Sequence, residues 1–218
     1  MIPVDLAHIA VVTDGLLHGD GAVIVDSVVI DSREVRQGSL FAALVGDHLD
    51  GHDFAAEANA ALVTRRVDAP CVVVDDVTVA LAAMARDNLS LTSATVIGIT
   101  GSQGKTSAKD LLAHILEPSG ATIAPPGSFN NELGVPLTVL RADDTTEFLV
   151  IEMGARGVGH IAQLCDIAPP TIGVVLNVGS AHVGEFGSTE VISQAKGELV
   201  EQLAANGVAV LNADDPLV

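Results

Sequence analysis

"VIGITGSQGKTSAKD" (residues 96–110) carries the clearest structural signal in the chain. The apolar run "TVIGIT" (residues 95–100) leads into a glycine turn, and the turn leads into "KTSAKDLLAHIL" (residues 105–116), which has helical spacing, so the sequence predicts a strand, a loop and a helix in succession. The usual phosphate-binding pattern G-x-x-x-x-G-K-[ST] would need a glycine where Ile99 stands. Two interpretations therefore stay open from these residues: a nucleotide site of another form, or an ordinary turn that happens to hold a lysine.

The same rhythm continues to the end of the chain. Three further apolar strands are predicted at "EFLVIEM", "TIGVVLNV" and "GVAVLNADD", with helices between them at "GHIAQLC" and "STEVISQAKGELVEQLAANG". Apolar strands that alternate with helices indicate a parallel sheet covered on both faces. Because the sequence stops just after the last strand, we expect this domain to be incomplete.

The first part of the chain has shorter elements. Strands are predicted at "GAVIVDSVVIDSR", "SLFAALVG" and "APCVVVDD", and helices at "HDFAAEANAA" and "VTVALAAMARDNL". The polar break "SLTSA" divides the chain into residues 1–92 and 93–218. The predicted fold class is therefore α/β, with a small mixed α/β N-terminal domain followed by a P-loop parallel-sheet central domain.

Composition narrows the class of protein. The chain is 49% hydrophobic but has no apolar run near the roughly 20 residues that span a bilayer, so we expect no membrane insertion. Its N-terminus lacks the cationic start of a secretory signal, and two cysteines are too few for a disulfide framework, which indicates a cytoplasmic protein. A net charge of −18 argues against nucleic acid as a partner, since nucleic-acid binding needs a basic surface.

Chemically suggestive residues follow the predicted strands of the central domain. In the glycine turn, backbone amides and Lys105 can hold phosphates, and the Thr106 hydroxyl can ligate Mg²⁺. Glu152 ends the next strand, and His182 follows the third. Since ligands gather beyond the carboxyl ends of parallel strands, these are candidate metal ligands, although each one singly could be an ordinary surface residue.

Lys196 is one of only three lysines in the chain, with Lys105 and Lys109. It lies four residues after Ile192 and four before Val200, in the apolar stripe of the last predicted helix. A lysine there either extends its ammonium to the surface or is partly desolvated, which would lower its pKa and free the amine as a nucleophile. Spacing alone leaves both outcomes open.

Two loops hold further candidates. Asn130 and Asn131 lie in "APPGSFNNELGVPLT" and can bond either a ligand or their own backbone. The block "DSREVRQGSLFAALVGDHLDGHDF" offers five candidate substrate-binding residues, namely Ser32, Arg33, Gly46, Asp50 and His52. Its first arginine could hold a phosphate or merely a surface carboxylate.

Taken together, these blocks resemble the Mur ligases, ATP-dependent amide-forming enzymes of peptidoglycan precursor synthesis. The phosphate-binding loop of that family has the shorter form T-G-x-x-G-K-[ST], which "TGSQGKTS" matches, so the resemblance favours the nucleotide interpretation. The N-terminal block looks like the family's uridine-nucleotide block. "GSFNNELGVPLT", "IEMGARGVGHIAQL" and "NVGSAHVGEFGSTEVISQAKGEL" look like the branch that uses D-alanyl-D-alanine, and the five ordered blocks cover nearly the whole chain.

The resemblance implies a role for each matching position. Two Mg²⁺ ions would be bound, the first by Thr106 and Glu152, the second by His182 and a carbamylated Lys196. Lys105, His182 and Lys196 are therefore the candidate catalytic residues. ATP would be held by residues of the turn and the central loop, namely Gly101, Ser102, Gln103, Gly104, Lys105, Thr106, Ser107, Asn130 and Asn131.

The implied reaction joins D-alanyl-D-alanine to UDP-MurNAc-tripeptide through an acyl phosphate made with ATP. Ser32 and Arg33 would lie beside the UDP moiety, and the enzyme would be a monomer. Family members continue into a C-terminal domain that supplies the adenine and dipeptide contacts, so we expect this chain alone not to complete ligation. Two alternatives stay open: the family branch that adds the third peptide residue, and a nucleotide-binding module without ligase chemistry.

Overall fold

A computed structural model describes residues 1–179 and 188–218 of the chain. The chain divides into two compact units, Met1–Leu91 and Thr92–Val218, which we call the first and the second unit. Within the described residues, no helix combines the length and the apolar character needed to cross a membrane.

The first unit is a small mixed α/β structure. Its strands are β1 (Val4–Asp5), β2 (Leu16–His18), β3 (Ile24–Val25), β4 (Ser27–Val29), β5 (Ser39–Ala42), β6 (Ala60–Val63) and β7 (Cys71–Val73). Its helices are α1 (Leu6–Val12), α2 (His52–Ala55) and α3 (Val77–Ser90). One sheet has the order β2-β7-β6-β5-β4, with β2 antiparallel to β7 and the other neighbours parallel, while β1 pairs with β3.

Aspartates precede the two longer helices of this unit. Asp5 accepts a hydrogen bond from the His8 amide at 2.7 Å, and Asp76 accepts from the amides of Thr78 and Val79. A carboxylate at this position satisfies amides that have no partner within the helix, so it fixes where the helix begins. The buried face of α3 then repeats with helical spacing and consists of Val77, Ala80, Leu81, Met84, Ala85 and Asn88.

The second unit is built on one parallel sheet. Its strands are β8 (Thr95–Thr100), β9 (Thr122–Ile123), β10 (Phe148–Glu152), β11 (Ile172–Val175) and β12 (Val208–Leu211), in the order β12-β11-β8-β10-β9. Its helices among the described residues are α4 (Lys105–Leu116), α5 (Gly134–Val139), α6 (His160–Ile167) and α7 (Thr189–Glu201). After β8 the chain builds one side of the sheet and then crosses to the other, and ligands bind beyond the carboxyl ends of the strands at such a switch point.

Helices cover both faces of this sheet. Successive residues of a strand point to opposite faces, so Ile97 and Ile99 face one way and Gly98 the other. The isoleucines pack against Leu112 of α4. On the opposite face, a Cβ added at Gly98 would lie 3.0 Å from Leu199 Cδ1 of α7. The glycine therefore lets α7 lie close to the central strand.

The predicted fold class is confirmed, and β8 and α4 have the predicted bounds. Three expectations about single elements are wrong, and one helix was missed. The helix predicted at "HDFAAEANAA" ends at Ala55, because Ala60–Val63 joins the sheet between β5 and β7. The end of the loop predicted at "APPGSFNNELGVPLT" forms α5, α1 was not predicted, and α7 ends at Glu201, short of the predicted length.

Candidate functional site

The glycine turn after β8 is held in one shape by hydrogen bonds to the segment after β11. Ser102 Oγ accepts the Gly179 amide at 2.9 Å, and the Gln103 amide donates to Asn177 Oδ1 at 3.0 Å. The Asn177 side chain donates back to the Gln103 carbonyl at 3.1 Å. Gly104 has a φ of +77°, a conformation that residues with a side chain rarely adopt. The turn is therefore preformed, and α4 starts directly after it.

Lys105 and Thr106 are the first two residues of α4. Lys105 Nζ donates to the Gly101 carbonyl at 2.9 Å, so its side chain folds back over the turn. Gly104 supplies no side-chain cap to the helix, and the amides of the first turn carry the positive end of the helix dipole. An ammonium and a helix N-terminus that face the same turn can bind a phosphate.

Hydrogen bonds link Thr106 to Glu152 and Asn130. Thr106 Oγ1 donates to Glu152 Oε2 at 2.8 Å, and Asn130 Nδ2 donates to Glu152 Oε1 at 2.7 Å. Glu152 is only 1% exposed, and these two neutral donors hold both of its oxygens in place. Hydroxyl and carboxylate oxygens are the ligands that Mg²⁺ takes beside bound phosphates. The residues present therefore fit a Mg²⁺ ion next to the turn.

The two asparagines of the central loop have different partners. The Asn130 carbonyl accepts the Gly154 amide at 2.8 Å, which ties the loop to the segment after β10. Asn131 Oδ1 accepts the Gly134 amide at 2.9 Å at the start of α5. Both asparagines line the cleft described next, but Asn130 is the one that contacts the candidate metal ligand.

A cleft of about 420 Å³ opens beside the turn. Its lining includes Lys105, Arg156, His160, Gln163 and Lys196, so three of the ten Lys and Arg side chains of this acidic chain lie there, together with one carboxylate among the described residues, that of Glu132. Arg156, His160 and Gln163 are not among the predicted site residues. The signal that could have found Arg156 and His160 is the glycine-rich stretch "GARGVGH", since it follows β10 at the edge of the sheet where ligands bind.

Lys196 lies on the buried face of α7 and is 5% exposed. Burial, and to a smaller extent the charge of Lys105, lowers the pKa of its ammonium from 10.5 to about 8. Of the two outcomes that spacing left open, desolvation is therefore the one in the structure. Lys196 lines the cleft with an amine that is partly neutral near pH 8.

Glu198 is a buried residue that the sequence did not single out. Its carboxylate accepts the amides of Gly159 and Ala162, the latter at 3.0 Å, at the N-terminus of α6. An anion there satisfies unpaired amides and the helix dipole. Glu198 thereby fixes α7, which carries Lys196, against α6. Its partners lie 39 and 36 residues away in sequence, so local pattern gives no sign of them.

Among the candidates in the first unit, Asp50 and His52 are bonded to each other. Asp50 Oδ1 lies 2.6 Å from His52 Nδ1, and Nε2 of the buried ring accepts the Thr64 amide at 2.9 Å. A hydrogen bond from the His52 backbone amide holds the pKa of the Asp50 carboxyl well below its usual range, and a hydrogen bond from the Arg65 side chain adds a smaller effect in the same direction. The pair therefore fastens its loop to the end of β6.

Ser32 and Arg33 lie in a separate turn, the short 3-10 helix Ser32–Glu34. The Arg33 guanidinium lies 2.5 Å from Asp31 Oδ2, and this hydrogen bonding lowers the pKa of Asp31 to about 2. The Arg33 side chain is 87% exposed, so it is open to a ligand as well as to its aspartate. The Gly46 amide closes another turn by donating to the Leu49 carbonyl at 2.9 Å.

Two predicted residues remain to be located. His182 lies outside the described residues, and Ser107 is exposed on α4. In the part of the chain that the structure describes, no group of three or more His, Cys, Asp or Glu side chains could hold a metal ion. A Mg²⁺ ion at Thr106 and Glu152 would take its other ligands from phosphate and water, as is usual for this ion.

The sequence is similar to those of known proteins. Residues 99–218 match the Mur ligase middle domain, and residues 24–117 match the catalytic domain of the Mur ligase family. UDP-N-acetylmuramoyl-tripeptide--D-alanyl-D-alanine ligase of Mycobacterium tuberculosis (strain ATCC 25618 / H37Rv) is 50% identical over 88% of this chain and 43% of its own length.

Solved structures agree with these matches. The crystal structure of MurF from Acinetobacter baumannii has a TM-score of 0.90 at 32% identity and covers 98% of this chain and 49% of its own. MurF ligase from Thermotoga maritima in complex with ADP has a TM-score of 0.79 at 41% identity, over 88% of this chain and 47% of its own. The chain thus spans about half the length of the relatives it matches. The expected resemblance is confirmed, and the chain belongs to the Mur ligase family.

Proposed function

We propose that this chain is the precursor- and nucleotide-binding part of an ATP-dependent ligase that joins D-alanyl-D-alanine to UDP-MurNAc-tripeptide in peptidoglycan precursor synthesis. The observation that carries the proposal is the connected set of Lys105, Thr106, Glu152 and Asn130 at the carboxyl edge of β8 and β10. The activity for which the Mycobacterium tuberculosis relative is named and the ADP bound to the Thermotoga maritima structure support it.

ATP would occupy the glycine turn. The turn amides and the N-terminus of α4 would receive the β- and γ-phosphates, and Lys105 would exchange the Gly101 carbonyl for a phosphate oxygen. Because the turn is already held by Ser102, Gln103 and Asn177, little ordering is needed when the nucleotide binds.

Thr106 and Glu152 would hold the first Mg²⁺ ion. When bound, this ion neutralises phosphate charge and so helps an anionic carboxylate approach ATP. Asn130 keeps the Glu152 carboxylate in one orientation by donating to the oxygen that Thr106 does not use. The hydroxyl, the carboxylate and the amide thus have separate tasks: two supply ligand atoms and one positions them.

Lys196 and His182 would hold the second Mg²⁺ ion after Lys196 is carbamylated. In that reaction the neutral amine forms a bond from Nζ to the carbon of CO₂, and one proton leaves the nitrogen for solvent. Support for it comes from the burial of Lys196, its lowered pKa and its place in the cleft.

The proposed chemistry proceeds in two steps. The terminal carboxylate of the tripeptide attacks the γ-phosphorus, which gives an acyl phosphate and ADP. The amine of D-alanyl-D-alanine then attacks the acyl carbon, phosphate leaves with the electrons of the broken bond, and the new amide loses a proton. Lys105 and Arg156, which both line the cleft, would stabilise the negative charge that gathers on phosphate oxygens.

The first unit would bind the uridine nucleotide. Ser32 and Arg33 offer a hydroxyl and an exposed guanidinium to phosphate, and Gly46 lets a ligand approach the backbone. Asp50 and His52 would act by shaping their loop, since they are bonded to each other and to β6. We place the enzyme in the cytoplasm as a monomer. The chain alone would bind ATP without completing ligation, because it spans about half of its relatives.

Calorimetric titration tests the nucleotide site. We expect the chain to bind ATP more tightly with Mg²⁺ than without it, and Thr106→Val to lose most of that difference because a ligand oxygen is removed. Thr122→Val on β9 is a matched control in the same unit and should behave as wild type. Absence of ATP binding to the folded wild-type chain would overturn the proposal.

A second titration tests the substrate. UDP-MurNAc-tripeptide should bind more tightly than UDP-MurNAc-dipeptide, because only the tripeptide has the third residue, whose terminal carboxylate the proposed reaction activates. A preference for the dipeptide would move the assignment to the ligase branch that adds the third residue.

A further inference from the structure

Lys109 is the one lysine that the proposed function does not use. It lies four residues after Lys105 on α4, and its side chain is completely buried. Its Nζ donates to the Pro125 carbonyl at 2.5 Å and the Gly127 carbonyl at 2.8 Å, and it lies 2.9 Å from Asp110 Oδ1. A lysine ammonium has three N–H donors, and three acceptors surround this one. Each N–H group of the buried ammonium therefore has an acceptor, which offsets the cost of removing the charge from water.

The two carbonyls that Lys109 binds belong to the loop between β9 and α5, which also contains Asn130. Gly127 has a φ of +62°, so the loop bends sharply where it meets the ammonium. Three residues later Asn130 donates to Glu152, which in turn accepts from Thr106. These hydrogen bonds thus connect Lys109 of α4, through the loop and Glu152, to Thr106 of the same helix.

An apolar residue would be the ordinary choice for a buried position on α4. It would fill the space but leave the Pro125 carbonyl, which is buried, without its donor. Asp110, with a side chain that is 66% exposed, offsets the positive charge without placing a second charge in the interior. The arrangement therefore serves to hold the loop rather than to fill the core.

We propose that Lys109 is a positioning residue for the metal site. By tying the loop to α4, it holds Asn130 against Glu152 and so fixes the carboxylate beside the Thr106 hydroxyl. This inference rests on the proposed function, since it concerns the Mg²⁺ ion that Thr106 and Glu152 would bind.

The test is the ratio of the ATP dissociation constants without and with Mg²⁺, measured by calorimetry on the 218-residue chain. In Lys109→Met we expect this ratio to fall about tenfold, the usual effect of removing a group that orients a metal ligand. ATP affinity without Mg²⁺ should stay near wild type, since Lys105 and the turn are unchanged. Arg141→Met is the matched control: it removes a 2.8 Å bond to the Ala124 carbonyl of the same loop from its exposed side, and should leave the ratio unchanged.

A double-mutant cycle with Asn130→Ala separates positioning from stability. If Lys109 acts through Asn130, the double variant should lose no more of the Mg²⁺ effect than Asn130→Ala alone. A loss of folding stability would reduce the fraction of competent protein without moving the ratio, so thermal melts accompany each titration.

Lys109→Gln, which keeps amide donors on a shorter side chain, replaces Lys109→Met if the latter does not fold. An unchanged ratio in a folded variant, additive effects in the cycle, or unfolding of both variants would each overturn the positioning role. A wild-type chain that binds ATP without any Mg²⁺ effect would overturn the metal assignment and this inference together, which is a different result from an unchanged ratio in the variants.

Discussion

Carbamylation of Lys196 can be tested quantitatively, because the structure sets the fraction of reactive amine. Burial, with a smaller contribution from the charge of Lys105, lowers the pKa of the Lys196 ammonium from 10.5 to about 8. At pH 8 about half of the Lys196 amines are neutral, against about 0.3% for a lysine of ordinary pKa, which is roughly a 150-fold gain in the form that reacts with CO₂. We therefore expect Lys196 to carry a carbamate at pH 8 when bicarbonate is present.

Carbon-13 NMR with labelled bicarbonate is the direct assay. The Met1 α-amino group can also react with CO₂, so the spectrum of Lys196→Met supplies the background. We expect the wild-type chain to give a carbamate resonance that is absent in Lys196→Met. Identical spectra from the wild-type chain and Lys196→Met would refute the reasoning.

The same pKa predicts how stability depends on pH in CO₂-free buffer. The folded-state pKa lies below the unfolded value, so between pH 8 and pH 10.5 the unfolded chain binds more protons. The cost of burying the ammonium is therefore complete below pH 8 and disappears as the pH rises to 10.5. Lys196→Met never bears this cost, so its advantage in free energy of unfolding should shrink by up to about 3 kcal/mol over that range. A constant difference would contradict the lowered pKa.

Three further perturbations test contacts around the site. Glu198→Gln leaves one acceptor oxygen for two helix amides, so urea denaturation should show a loss of about 1–3 kcal/mol in the free energy of unfolding; an unchanged value would contradict the capping role. His52→Ala removes a buried ring that accepts a backbone amide and should cost about 2–4 kcal/mol, whereas the exposed His48→Ala should cost less than about 0.5 kcal/mol; equal effects would contradict the difference in burial. Burial raises the pKa of the Cys165 thiol to about 12, so iodoacetamide at pH 8 should label it only after unfolding, as peptide mass spectrometry can show; rapid labelling of the native chain would refute this.

Elements with strong local signals could be predicted from the sequence. β8 and α4 have their predicted bounds, because an apolar run, a glycine turn and a helical segment follow one another without ambiguity. α1 also has a local signal, an Asp5 cap followed by buried Leu6, Ile9 and Ala10, and could have been found. α5 was not predicted because Pro136 suggests a loop, although proline is tolerated in the first turn of a helix, where Pro136 lies.

Other features depend on contacts that local pattern does not encode. The alanine-rich stretch that includes Ala60 and Ala61 favours a helix, but pairing with β5 and β7 on both sides makes it a strand. The order of strands around β8 comes from non-local pairing. The burial of Lys196 could be anticipated as one of two outcomes, since its place in the apolar stripe is a local property. The bond of Asn177 to the glycine turn could not, because 74 residues separate the partners.

The electrostatics of the cleft explain how a chain of net charge −18 can receive a polyanion. The buried carboxylates near the cleft are already bonded: Glu152 accepts from an amide and a hydroxyl, and Glu198 accepts from two amides of α6. Lys105, Arg156 and Lys196 line the cleft itself and outnumber the one carboxylate that the described residues place there, Glu132. Dissolved salt screens the electrostatic potential of a charge over about 8–10 Å at physiological ionic strength. A phosphate in the cleft is therefore influenced by these nearby groups far more than by distant surface carboxylates. The acidity of the chain and an anion-binding cleft are therefore compatible, because placement rather than net charge decides what the site binds.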